Sequence, residues 1–365
     1  MWTVLVPVHK GVIKVKKGIF ISLIVIFTIV VISGGVRAIP THLDKTKVAT
    51  GCRACHKGHG VRGTVLLERS KDELCFKCHG SGGRHKDIQS ALIKPSNHPV
   101  IQTARYHQVG EELPERNPSM PRHVSCFDCH NAHRSEATEP VKGVRGYSGK
   151  GAKIKRLNNE YELCYNCHSD SANLPPDKDI ALDFLPTNAS YHPVETYGRN
   201  RFVPSLTRGY NTSSIIKCSD CHGNDDPGGP KGPHGSVYSP ILKERYERVP
   251  GPESPSSYAL CYQCHNRTSI LNDESFKAHK AHIVYHQTSC AQCHDSHGSR
   301  TNPNLINFDF ITVIPNSKGE LAYIPSAEGM PRCLLTCHVN GVPYEHKVDP
   351  TKMQYCINTR CLPQW

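Results

Sequence analysis

Residues 125–134 read Ser125-Cys126-Phe127-Asp128-Cys129-His130-Asn131-Ala132-His133-Arg134. One helical turn brings thiols three residues apart level with each other, and the residue after the second thiol directs an imidazole to the same place. This pattern suits a porphyrin held through thioethers at Cys126 and Cys129 with His130 on its iron. His133, three residues on, is left free. How the rest of the chain folds depends on how often this unit recurs.

Seven Cys-x-x-Cys-His runs are present, where a chain of this Cys and His content would give about 0.05 by chance. The thioether positions are Cys52 and Cys55, Cys75 and Cys78, Cys126 and Cys129, Cys164 and Cys167, Cys218 and Cys221, Cys261 and Cys264, and Cys290 and Cys293. An eighth run, Cys333-Leu334-Leu335-Thr336-Cys337-His338, has three residues between its thiols. Its register makes it an eighth haem site, the alternative being a disulfide or free thiols. The proximal imidazoles are then His56, His79, His130, His168, His222, His265, His294 and His338.

The motifs fall into four units of one plan. Each has an upstream histidine, a first motif with another histidine after it, a leucine-bearing connector and a second motif. The expected organisation is a leader at 1–38 and two-haem units at 39–95, 96–185, 186–275 and 276–365. His98 and His192 share a His-Pro-Val context, while CHNAHRS in the second unit matches CHDSHGS in the fourth. In the third unit the insertion NDDPGGPKGP delays the free histidine to His234.

After the leader the chain has three methionines, Met120, Met330 and Met353, too few to serve eight irons, whereas fourteen histidines lie outside the motifs. Eight of these complete bis-imidazole ligation. The candidates are His59, His133, His234 and His297, which follow each first motif, and His42, His98, His192 and His282, which precede it. An imidazole three residues past the proximal one is too close to reach the far face of its own haem. Each is therefore expected to serve a neighbour, most simply the second motif of its own unit. His107, His123, His279 and His286 are reserves, followed by His85 and His346; the remaining imidazoles are propionate partners or surface groups.

The chain is 37% hydrophobic and carries 27 prolines and 28 glycines, and no segment has a long helical or alternating period. The expected fold is mostly irregular, with short α-helices at the haem motifs, almost no β-sheet and haem filling the core. Cys356 and Cys361, with no histidine after them, are expected to pair as a disulfide in an oxidising compartment.

Net charge is +12, and the first 38 residues hold five basic groups and no acid, leaving +7 beyond them. Haem propionates offset such an excess, so it is not a nucleic-acid footprint. The basic stretch to Lys17, the apolar run 18–36 and Val36-Arg37-Ala38 read as a secretory signal cleaved after Ala38. The alternative is an uncleaved anchor, which would be the only contact with a membrane. Either way residues 39–365 lie outside the cytoplasmic membrane. Three sequons, at Asn188, Asn211 and Asn266, allow surface glycosylation.

These motifs resemble the multihaem c-type cytochromes with doubled CXXCH motifs, over nearly all of residues 42–346. The resemblance implies an electron carrier of the periplasm or cell exterior rather than an enzyme, with eight haem c groups. Some relatives polymerise into extracellular filaments in which stacked bis-histidine haems form a wire. Implied partners are other redox proteins, copies of the chain, or a terminal acceptor such as a metal oxide or a partner cell. The competing reading is a multihaem reductase of nitrite, hydroxylamine or a sulfur oxyanion, which needs one open or lysine-held iron; no Cys-x-x-Cys-Lys motif marks one. A zinc-binding module is the third class.

Overall fold

A computed structural model describes residues 39–59, 66–69, 71–101, 124–149, 153–172, 174–325 and 331–339, with short backbone strands outside that range. The apolar run 18–36, His107, His123 and His346, and the side chains of His338, Cys356 and Cys361 lie outside the described residues.

Each of the seven Cys-x-x-Cys-His motifs folds around a helical turn, whereas the eighth run, expected to do the same, lies on two strands, Arg332–Leu334 and Thr336–Val339, because its apolar residues pair with Ala322–Ile324 and Val313–Ile314. The turns are Gly51–Ala54, Cys126–Cys129, Tyr161–Cys164, Cys218–Cys221, Ala259–Tyr262 and Cys290–Cys293, and the motif at Cys75 ends the longer helix Lys71–His79. The local sequence explains why. In the first motifs of units two to four, the N–H before the first cysteine donates to the residue preceding the second: Ser125 to Asp128 (2.7 Å), Lys217 to Asp220 (2.8 Å) and Ser289 to Gln292 (2.9 Å). This satisfies an N–H at the start of the turn. At its other end the histidine N–H donates to the first cysteine's carbonyl, as from His130 to Cys126 (2.9 Å) and from His222 to Cys218 (2.8 Å). The histidine is itself extended, so its ring swings away from the turn.

Between the turns the chain is mostly irregular, and its sheets are small, antiparallel and two- or three-stranded. Among the described residues the apolar core is two small clusters. One is Tyr147, Tyr165, Ala181, Phe184 and Val194; the other is Ile306, Phe308, Val313 and Leu335. Clusters of four or five residues are too small to organise a chain of this length by themselves. No helix among the described residues is long and apolar enough to cross a membrane.

Strand pairs join one unit to the next. Ser96–Asn97 of the second unit pairs with Gly235–Ser236 of the third, and Ser190–Tyr191 of the third with Gly298–Ser299 of the fourth. At the first joint Thr41 N donates to Ser135 O (2.9 Å). His-Gly-Ser has a structural reason at the later joints. A Cβ on Gly235 would run into the Ala91 carbonyl oxygen, and one on Gly298 into that of Asp183. The buried serine hydroxyls then close the following loops, Ser236 donating to Leu242 O (2.5 Å) and Ser299 to Ile306 O (2.7 Å). Carboxylates brace neighbouring motifs as well: Asp72 accepts from Cys126 N (2.9 Å), and Glu160 from Ser219 N and Oγ (both 2.8 Å).

Candidate functional site

The strand pairs bring imidazoles together in twos. Among the described residues, seven motif histidines each face a histidine from outside the motifs. Ring centres are 6.0 Å apart for His56 and His133, 6.1 Å for His130 and His234, and 6.2 Å for His222 and His297. They are 6.3 Å apart for His79 with His42 and for His168 with His98, and 6.4 Å for His265 with His192 and for His294 with His279. Metal–imidazole bonds are about 2 Å long and the ring centre lies roughly 1 Å further out, so two axial rings on one iron have centres about 6 Å apart. All seven pairs have this separation, which direct ring stacking does not require.

Hydrogen bonds fix which nitrogen faces the gap. A carbonyl accepts from Nδ1 of His98 (Pro233, 2.6 Å), His130 (Pro140, 3.0 Å), His222 (Pro240, 2.9 Å), His282 (Ala278, 2.7 Å) and His294 (Asn304, 2.9 Å). His192 makes the same bond to Ser296 O. A carbonyl oxygen takes only a donor, so Nδ1 holds the proton and Nε2 keeps its lone pair for a metal. Burial holds His98, His192, His222, His282 and His294 below the usual imidazole value despite these bonds. Burial, with neighbouring imidazoles adding to it, lowers His234 and His265 to about 4 and His279 to about 3. At these eight positions the neutral ring, the form a metal binds, is favoured in the haem-free chain.

The thiols lie between these pairs in chain order. Cys126 is pushed up first by the adjoining Cys75 thiol, Cys164 by Cys218 and Cys290 by Cys261, so the second motif of each unit abuts the first motif of the next. Within units, Cys129 is pushed up to about 12 by burial, with Cys167 nearby, and Cys221 to about 12 by burial, with Cys264 nearby. Burial lifts Cys333 to about 12 and Cys337 to about 11. Sixteen motif cysteines are outside any disulfide, and seven of the eight motifs have their histidine facing a second imidazole. Two thiols and two opposed imidazoles are the donor set of haem c, so the residues present fit that group.

The family described as Doubled CXXCH motif matches residues 46–84 and 120–173. No curated protein and no solved structure matches the chain. The doubled motif indicates a multihaem c-type cytochrome. It implies covalently bound haem c and a role in electron transfer.

The following-motif histidines His133, His234 and His297 face imidazoles outside their own units. His133, expected near His168, faces His56 of the unit before, and His234 and His297 likewise face His130 and His222. The upstream histidines His42, His98 and His192 face the second motif of their own unit. One strand pair sets both types: His98 N donates to His234 O (3.3 Å) and His192 N to His297 O (3.0 Å). His59, expected as a ligand, is exposed and meets no other ring among the described residues. His279, a reserve in the sequence reading, faces His294 instead. His282, a candidate ligand, lies 6.4 Å from His286, and the side chain of His338 is outside the described residues. His85 stacks on His79 at 5.3 Å. Of the sequons, Asn188 is buried and donates both amide hydrogens, to Leu182 O and Asp183 O (2.8 Å each), which leaves no room for a glycan.

Proposed function

We propose that this cytochrome is an eight-haem electron relay working outside the cytoplasmic membrane, each iron held between two imidazoles. The observation that carries this reading is the set of seven histidine pairs with centres 6.0–6.4 Å apart. Haem c supplies a one-electron couple and a conjugated edge for electron passage. The protein does the rest. The cysteines of each motif would hold the haem through two thioethers, and the carbonyls on Nδ1 leave Nε2 of those rings available to a metal. Burial favours the neutral form of His98, His192, His222, His282 and His294.

By register, Cys333, Cys337 and His338 form the eighth site, with His282 opposite His338. Cys356 and Cys361 stand opposite each other in the terminal hairpin, and we assign them a disulfide. Haem held by an imidazole on each side would have no open position for a substrate and would only gain and lose an electron.

Two measurements test the relay. Intact mass of the exported protein is expected to report eight haems per chain and loss of residues 1–38. Magnetic circular dichroism and EPR are expected to find only low-spin ferric haem. A high-spin ferric signal of one per chain in the intact protein overturns the relay in favour of a reductase with an open iron. Electron microscopy of material sheared from cells tests whether the chains assemble into filaments.

A further inference from the structure

Positive charge is concentrated at one end of the cytochrome. Residues 39–95 contain eleven Lys and Arg against five Asp and Glu, a net of six positive charges. Residues 96–365 contain 28 against 27, a net of one, although they carry six of the eight motifs. If the excess existed to neutralise propionates it would follow the haem sites along the chain, and it does not.

Lys45, Arg53, Lys57, Arg69, Lys77 and Arg84 of the first unit are exposed and lie close in sequence to its two motifs. Lys45 lies across Gly51, next to Cys52, and Arg53 is between the thiols of that motif. Arg69 follows Glu68, whose N–H donates to Cys55 O (2.9 Å). Arg84 precedes His85, the ring stacked on His79. Lys45, Arg53, Arg69 and Arg84 make no ion pair among the described residues, and the single carboxylate of Glu68 is shared by Lys57 (3.2 Å) and Lys77 (2.9 Å). Cys52 and Cys78, one from each motif, are exposed, whereas the other fourteen motif cysteines are half-buried. Charge and accessible attachment points thus coincide at the start of the line.

We propose that this basic end is the docking surface for an acidic redox protein, which exchanges single electrons with the first two haem sites. The inference rests on the relay reading above. Exchange forms and breaks no bond: one partner loses an electron and the other gains it. A positive face beside exposed redox centres raises the local concentration of an anionic partner and speeds encounter at low salt.

The test uses the reduced holoprotein in stopped flow with two oxidants of opposite charge, ferricyanide and hexaammineruthenium(III), over a range of ionic strength. One variant carries Lys45→Glu, Arg53→Glu, Arg69→Glu and Arg84→Glu. A control makes the same change of net charge elsewhere, with Lys153→Glu, Lys155→Glu, Arg208→Glu and Lys318→Glu. The expected result is a ferricyanide rate that falls with salt and drops about tenfold in the first variant but hardly in the control. The ruthenium rate should move the opposite way. Equal drops in both variants, or none in either, overturn the proposal. So does salt-sensitive sedimentation with phosphatidylserine vesicles that the first variant abolishes while its ferricyanide rate stays unchanged, since the face would then serve a membrane. Failure of the relay reading looks different: the wild type itself would hold a high-spin haem or lack its haem complement.

Discussion

His59 and His133 occupy the same place after their motifs, yet among the described residues only His133 meets another imidazole. If the ring at 6.0 Å from His56 is an axial partner, His133→Ala should open one iron and produce one high-spin ferric equivalent by EPR. His59→Ala should leave every spectrum unchanged. The His133→Ala signal should persist when Cys164→Ala and Cys167→Ala remove the site at His168; its disappearance there would restore the assignment within one unit. A second residue-scale prediction concerns Arg267, which forks onto Glu253 through Nε–Oε1 (2.8 Å) and Nη2–Oε2 (2.5 Å). The guanidinium holds this carboxyl below the usual carboxylate range. A folded value below the unfolded one means that the pair stabilises fully above the ordinary carboxylate pKa of about 4.3, and that this is lost as pH falls through the lowered folded value. Glu253→Gln should therefore flatten the loss of urea resistance on acidification below about pH 5, and an unchanged acid limb would dismiss the pair as a contributor.

At the element scale the unit of construction is a strand pair that aims two imidazoles at once. Ser190–Tyr191 runs into His192 and Gly298–Ser299 follows His297, so a shift of this pair displaces both rings. Gly298→Ala forces a Cβ against the Asp183 carbonyl, and overpacking of this kind costs roughly 1–3 kcal/mol. The expected result is a lowered Tm with weakened low-spin character at the sites of both His222 and His265. His297→Ala should affect the His222 site alone, and identical spectra from the two variants would refute the shared strand pair. The motif turns and the shortage of regular structure were legible in the sequence, because thiol spacing and helix capping act within five residues. So was the recurrence of His-Pro-Val and His-Gly-Ser. Partner choice was not legible, because it is set by backbone pairing between residues such as His192 and His297, whose separation no local period records. The fourth unit departs from the plan in the same way: its upstream segment is a π-turn, Ala281–Tyr285, and His279 one turn earlier faces His294. Three closely spaced histidines, His279, His282 and His286, stand there, and their order along the chain did not say which would turn inward.

For the whole molecule, lending one imidazole backwards at each joint makes the construction directional. His133, His234 and His297 each complete a pair in the unit before their own, while the fourth unit closes its first site from within through His279. The ends of the chain are therefore not equivalent. Deleting residues 39–95 removes two sites and leaves His133 spare, but His130 keeps His234 and His168 keeps His98. Ending the chain after residue 275 also removes two sites, yet it strips His297 from His222 and takes the Ser296 carbonyl and the strand partner from His192. Both truncated proteins should carry six haems by mass. The first should be entirely low-spin, and the second should show one full high-spin ferric equivalent together with a partly weakened site at His265. Self-sufficient two-haem units would give six low-spin haems from either truncation. The difference between the two EPR spectra therefore measures whether the relay is a row of separate modules or an interlocked chain in which each unit is closed by its successor.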